Sequence, residues 1–181
     1  MPVNTNTLFH FTNSIDNLRN ILTYNFAPRL SMEDISFIAH SKLPKKVALP
    51  MVCFCDIPLH LVKDHMKEYG SYGIGLTKQW GIKNKLNPVI YLEKNSFIKD
   101  VILRTREHLD RSFLVDQNRF EEYNLLWSLF SSIKPYEGIS RKTKKRKVFY
   151  DEREWRYIPN VYNVRERFHE IPILYENEVK K

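Results

Sequence analysis

Residues 8–22, LFHFTNSIDNLRNIL, pass from one hydrophobic period to another with no linker between. In LFHFT, Phe9 and Phe11 alternate with His10 and Thr12, the two-residue period of a strand with aromatics on one face and polar side chains on the other. Ile15, Leu18, Ile21 and Leu22 then share one helical face, with Thr12, Asn13 or Ser14 to cap the helix. A histidine where a first strand ends can be structural or can meet a substrate.

The rest of the chain continues the mixture. A short helix is expected within 31–40, and MVCFC at 51–55 reads as a compact buried strand. Pro58 opens a helix that runs to about Glu68, since proline is tolerated in a first helical turn. YGSYGIGLT is a glycine-punctuated turn and strand, and PVIYLE at 88–93 is another strand. Helices are expected over 96–116 and 119–133, the second with Tyr123, Leu126, Trp127 and Phe130 on one face. VFYDEREWRYIP at 148–159 reads as a strand pair or a bent strand, and EIPILYE as a closing strand that Pro172 marks as an edge. No repeat or linker divides the chain. Residues 1–181 therefore read as one α+β domain, a mixed or antiparallel sheet with helices packed on it and a basic loop at 138–148.

Composition limits the function classes. Hydrophobic residues at 43% and aromatics at 13% of 181 residues suffice for one core and argue against a disordered chain. No apolar run approaches the ~20 residues of a membrane span, and MPVNTNTLFHF lacks the regions of a signal peptide, so a cytoplasmic protein is expected. Cys53 and Cys55 point the same way on one strand, poor geometry for a disulfide, and with no second pair they make no zinc site. Both read as small packing residues, and no metal is expected. The net charge of +8 favours phosphate-rich partners. SRKTKKRK at 140–147 places Arg141, Lys142, Lys144, Lys145, Arg146 and Lys147 together. The run reads as a mobile, solvated loop or as a nucleic-acid contact, and no aromatic interleaves it for base stacking.

Three stretches can carry chemistry. His10 and Thr12 are either an ordinary polar strand face or part of a cleft. Gly70, Gly73 and Gly75 beside Tyr69 and Tyr72 serve either tight sheet packing or a ligand laid against backbone. In DEREWRY, Glu152, Glu154 and Arg156 share one strand face and Arg153, Trp155 and Tyr157 the other. Those carboxylates are either a ladder of neutralised charges or a row that stabilises a ribose-like cation.

Taken in order, these stretches resemble known bacterial families. The LFHFTNSIDNLRNIL opening resembles proteins of the ADP-ribosyltransferase-like fold, among them the DarT-type DNA modifiers. MVCFCDIPL resembles the second strand of related defence proteins, with Cys53 and Cys55 where serines are usual. EYGSYGIGLTKQW resembles their tyrosine-glycine turn, and FYDEREWRYIP their E-x-E-[WY]-R strand. Over most of the chain the pattern is similar to the AbiGi family of abortive-infection proteins from phage-defence loci. The resemblance implies an ADP-ribosyltransferase-like fold with NAD as substrate. It implies His10 on the ribose, Thr12 on the nicotinamide amide, Tyr69 stacked on the nicotinamide ring and Arg29 near the diphosphate. It implies Glu154 as the catalytic carboxylate and Glu152 as its accessory. The acceptor would be a nucleic acid or a protein. AbiGi proteins are also labelled as antitoxins, which implies the alternative of a non-catalytic module that binds a cognate toxin.

Overall fold

The computed structural model describes residues 5–38, 45–115, 128–140 and 142–159, together with Leu125 and the short strand at 174–175. The first transition falls where its pattern places it. Strand β1 (Thr7–Thr12) leads into helix α1 (Ile15–Tyr24), and Ser14 caps α1 by accepting a hydrogen bond from the Asp16 backbone N–H.

Residues 31–40 depart from the helix expected there. Arg29–Asp34 is strand β2, followed by a single 3-10 turn at Ser36–Ile38. The reason is long-range: β2 pairs antiparallel with β3 (Lys46–Cys55) from Arg29↔Met51 to Asp34↔Lys46. Strand β3 is the spine of the molecule. It extends the five-residue run expected to ten, and seven of those ten positions are buried, so it reads as an unbroken apolar stretch. A 3-10 turn at Leu59–Leu61 then leads into α2 (Val62–Tyr69).

Strand β4 (Tyr72–Thr77) runs into α3 (Lys78–Lys83), a short helix with no forecast in the sequence, which Thr77 caps through the Trp80 N–H. The strand expected at 88–93 is two strands, β5 (Asn87–Pro88) and β6 (Ile90–Leu92), in different sheets. Helix α4 (Phe97–Val115) follows. Of the helix expected at 119–133, Tyr123, Leu126 and Trp127 lie outside the described residues. Ser128–Ser131 is helical, and Ile133 already belongs to strand β7 (Ile133–Pro135). Strands β8 (Glu137–Ile139) and β9 (Arg146–Val148) form a hairpin around the basic run. A 3-10 turn at Phe149–Glu152 and a left-handed Arg153 (φ 43°) precede β10 (Glu154–Tyr157), and β11 (Leu174–Tyr175) closes the order. Pro172 lies outside the described residues.

The main sheet runs β4-β1-β3-β10-β5, with β2 and β11 paired to the other half of β3. All its pairs are antiparallel, while β6 and β7 form a parallel pair beside it. The α+β expectation holds. Three apolar clusters meet β3, the smallest joining Cys55 to Ile57 and Val62. Of the larger two, one joins Val47, Leu49 and Met51 to Ile38, Leu92, Phe130 and Ile133. The other joins Val52 and Phe54 to Leu8 and Leu86, with Trp155 and Tyr157 packed on it, the anchoring face expected for β10. Among the described residues no helix is long and apolar enough to cross a membrane.

Candidate functional site

Cys55 lies at the junction of three strands. It is the register partner of Phe9 on β1 and of Glu154 on β10. That junction brings His10 and Glu154 to one cavity of about 160 Å³, which Tyr69 and Glu152 also line. The four residues that the sequence singled out for catalysis therefore meet. Cys53 and Cys55 line the same cavity as free thiols, the second buried. Burial pushes the Cys55 thiol up to about 12 and raises Cys53 as well, which favours the neutral thiol at both.

Glu154 is buried at the floor. Its Oε1 accepts from Arg156 Nε at 2.7 Å, and its Oε2 from Lys134 Nζ at 2.8 Å and Arg156 Nη2 at 3.4 Å. Burial alone would raise its pKa, but the Lys134 ammonium and the Arg156 guanidinium outweigh burial and hold it well below the usual carboxylate range. Arg156 is itself buried and donates further to the Ser131 carbonyl at 2.6 Å and to Glu33 Oε2 at 2.9 Å. The Glu154 N–H donates to the Tyr91 hydroxyl at 2.8 Å.

Glu152 reaches the cleft by another route than the shared strand face. It ends the 3-10 turn, and Lys134 bridges it to Glu154. Its Oε1 accepts from Tyr69 Oη at 2.6 Å and pairs with Lys147 Nζ at 2.8 Å. Burial would raise this carboxyl too; Lys134, Lys147 and Tyr69 together hold it low. Lys134 in turn stays charged despite burial because Glu154 and Glu152 flank it.

His10 donates through Nδ1–H to the Cys53 carbonyl, 2.8 Å away, and burial lowers its pKa. Its ring packs against Phe26 and Phe54. Thr12 and Arg29 do not line the cavity of Glu154. They line an adjoining one of about 660 Å³, which shares His10, Ser31, Cys53 and Tyr69 with it. A third cavity, of about 570 Å³, shares Ser31, Glu33, Tyr69 and Lys134 with the cavity of Glu154. The cavity of the carboxylates thus adjoins both larger ones, and the three make up one trough.

The glycines resolve toward packing. Gly70 has φ +116°, and a Cβ there would lie 2.2 Å from the Thr12 carbonyl, which fixes Tyr69 against the end of β1. The Phe11 and Phe9 rings lie over Gly73 and Gly75, where a Cβ would meet them at 2.9 and 3.0 Å.

The basic run divides. Arg141 lies outside the described residues. Lys144 and Lys145 are exposed, and Arg146 pairs with Glu137 at 2.5 Å. Lys142 donates to the Lys67 and Glu68 carbonyls at 2.6 and 3.2 Å. Lys147, expected in a solvated loop or a nucleic-acid contact, is half-buried beside the site, paired with Glu152 and Glu68.

Two site residues carried no motif. Lys134, in SSIKPYE, is a lone lysine between apolar neighbours, and the one clue was that two buried carboxylates need a cation. His65 lines the cavity with its ring 4.4 Å from that of Tyr69, and burial lowers its pKa to about 4.

Comparison with known proteins adds three findings. Residues 24–181 match a family described as "Putative abortive phage resistance protein AbiGi, antitoxin". The chain is 35% identical over 154 residues to the abortive phage resistance protein AbiGi of Lactococcus lactis subsp. cremoris; the match covers 75% of this chain and 62% of that protein's length. No solved structure matches the chain.

Proposed function

We propose a function from one premise: the chain belongs to the AbiGi family of abortive phage resistance proteins. In this reading the protein acts in phage defence, its trough binds NAD, and it transfers ADP-ribose to a macromolecular acceptor, nucleic acid or protein. The domain is then ADP-ribosyltransferase-like. The observation that carries the reading is the meeting of His10, Tyr69, Glu152 and Glu154 on one cavity, with Glu154 held ionised.

The chemistry needs little from the protein. The bond between ribose C1′ and the nicotinamide nitrogen breaks, its electron pair leaves with nicotinamide, and the ribose becomes an oxocarbenium cation. An acceptor lone pair then bonds to C1′ and the acceptor gives up a proton. Glu154 supplies a fixed negative charge below that cation, His10 meets the ribose, and Tyr69 stacks on the departing ring. Thr12 and Arg29 meet the nicotinamide amide and the diphosphate from the adjoining cavity.

The test pairs calorimetric NAD binding with nicotinamide release. Wild-type protein should bind NAD and release nicotinamide. Glu154→Gln should lower release by about a hundredfold or more. Since Glu154 is buried, that variant is compared with Tyr69→Ala, at a residue 40% exposed, which should weaken NAD binding; its melting temperature, expected to fall because Glu152 loses the Tyr69 hydroxyl, checks that it remains folded. Absence of NAD binding by folded wild-type protein rejects the reading.

One observation favours a second reading. Both oxygens of Glu152 and both of Glu154 already have cationic or hydroxyl partners, so the cluster is complete without a ligand. On this reading the chain is a non-catalytic antitoxin that binds a cognate toxin, in keeping with the family description. Toxin neutralisation unaffected by Glu154→Gln in a folded protein would support it.

A further inference from the structure

Four polar contacts tie the β8–β9 hairpin to the carboxyl end of α2. Ser140 Oγ donates to Glu68 Oε1 at 2.7 Å, Lys142 Nζ donates to the Lys67 and Glu68 carbonyls, and Lys147 pairs with Glu68. Lys147 then reaches past Glu68. Its Nζ pairs with Glu152 and lies over the Tyr69 ring, 5.5 Å from the centroid. His65 packs against the same ring from within α2.

A planar ligand that stacks on the part of the Tyr69 ring under Lys147 has to displace that ammonium. His65 is part of a helix and is wedged between the Phe11 and Tyr69 rings. Lys147 stands in β9 of a hairpin whose ties to α2 named above are polar; those of Lys142, exposed, and of Lys147, about a quarter exposed, can exchange for water, while Ser140 is buried. Lys147 is therefore the neighbour that leaves. The oxidised nicotinamide of NAD is a ring that carries one positive charge. The surroundings that suit an ammonium here, an aromatic face and a carboxylate, suit that ring as well.

We propose that the hairpin is an autoinhibitory strap: Lys147 holds the face of Tyr69 in the resting protein, and the cationic nicotinamide ring of NAD takes its place when the hairpin releases. This inference rests on the nucleotide reading above. The apparent Kd equals the intrinsic Kd divided by the open fraction, so a strap closed about nine-tenths of the time weakens NAD binding about tenfold.

The test titrates wild-type protein, Lys147→Gln and Lys147→Arg with NAD, and with ADP-ribose, which lacks the cationic ring. Lys147→Gln should bind NAD about tenfold more tightly than wild type, with a much smaller gain for ADP-ribose, and Lys147→Arg should show no gain. A Ser140→Ala, Lys142→Gln double variant loosens the hairpin at its ties to Glu68 and Lys67 and should tighten NAD binding in the same direction, which covers the case of a poorly folded Lys147→Gln. NAD affinity that is unchanged or weaker in both variants, with wild type still binding, overturns the strap and leaves the nucleotide reading standing. Absence of NAD binding by every folded form overturns that reading and the strap with it.

Discussion

The floor of the trough and its rim are both held by ion pairs, yet the two sets are built differently. At the floor, Arg156 is 2% exposed and has partners on β10, on β2 and in the helical turn before β7. At the rim, Lys147 is about a quarter exposed, Lys142 is fully at the surface, and their partners belong to one helix end and one turn. A charge enclosed by several elements is part of the core and cannot exchange its partners for water. A charge at the rim can. The trough therefore joins a rigid bottom to an adjustable edge.

The comparison is tested most severely by removing one cation from each set. Arg156→Leu leaves Glu154 and Glu33 without their guanidinium and should cost about 3–5 kcal/mol in urea unfolding. Lys147→Gln should cost clearly less, because Glu152 keeps Lys134 and Tyr69 as partners. Equal losses would abolish the distinction between floor and rim.

Acid unfolding sharpens the same contrast. The folded pKa of His65 is about 4, against 6.5 for the unconstrained side chain, because burial disfavours its charged form. As pH falls from 6.5 to 4 the unfolded chain takes up a proton that the folded chain refuses, so stability drops by roughly 3 kcal/mol over that window. Glu154 acts further down. Its folded pKa lies well below the unfolded 4.5, so its contribution is present above pH 4.5 and is lost as pH falls below it. His65→Gln should flatten the stability profile between pH 6.5 and 4 and leave the lower limb in place. A full upper limb in that variant would move the acid sensitivity to another group.

The smallest effect belongs to the outermost charges. Lys144→Gln with Lys145→Gln should leave stability within about 0.5 kcal/mol. If nucleic acid is the acceptor, the logarithmic salt slope of its binding should fall by on the order of one unit per lysine. An unchanged slope would mark both as solvated rim residues.

Regions with a strong local pattern were legible from the sequence. LFHFT and its capped helix, the buried MVCFC run and the face that Trp155 and Tyr157 turn to the core all follow from alternation and spacing. The convergence of His10, Tyr69, Glu152 and Glu154 came from resemblance rather than spacing. What stayed hidden depends on partners distant in sequence. Strand β2 exists because β3 offers it an edge, and the break at Val89 exists because β5 pairs with β10 while β6 pairs with β7. Lys134 acquires its place only once β7 lies beside β6, and a three-residue strand carries no period to announce it. Lys147 looked like one of six interchangeable basic residues, because the contact that distinguishes it is with Glu68 and Glu152 across the cleft.

The shared register of Phe9 and Glu154 on Cys55 also sets an order of events during synthesis. β1 and β3 leave the ribosome before β10, which follows about a hundred residues behind Cys55. At roughly 5–20 residues per second, Val52 and Phe54 wait about 5–20 s beside an unpaired edge. Such an edge invites association with other chains, and the strand that seals it is the one that brings Glu154. A nascent chain therefore has no trough to offer to any ligand until translation has passed Tyr157. The cleft is complete only once β10 has been made, so fragments that stop before it carry the sticky spine of the sheet without the carboxylates of the site.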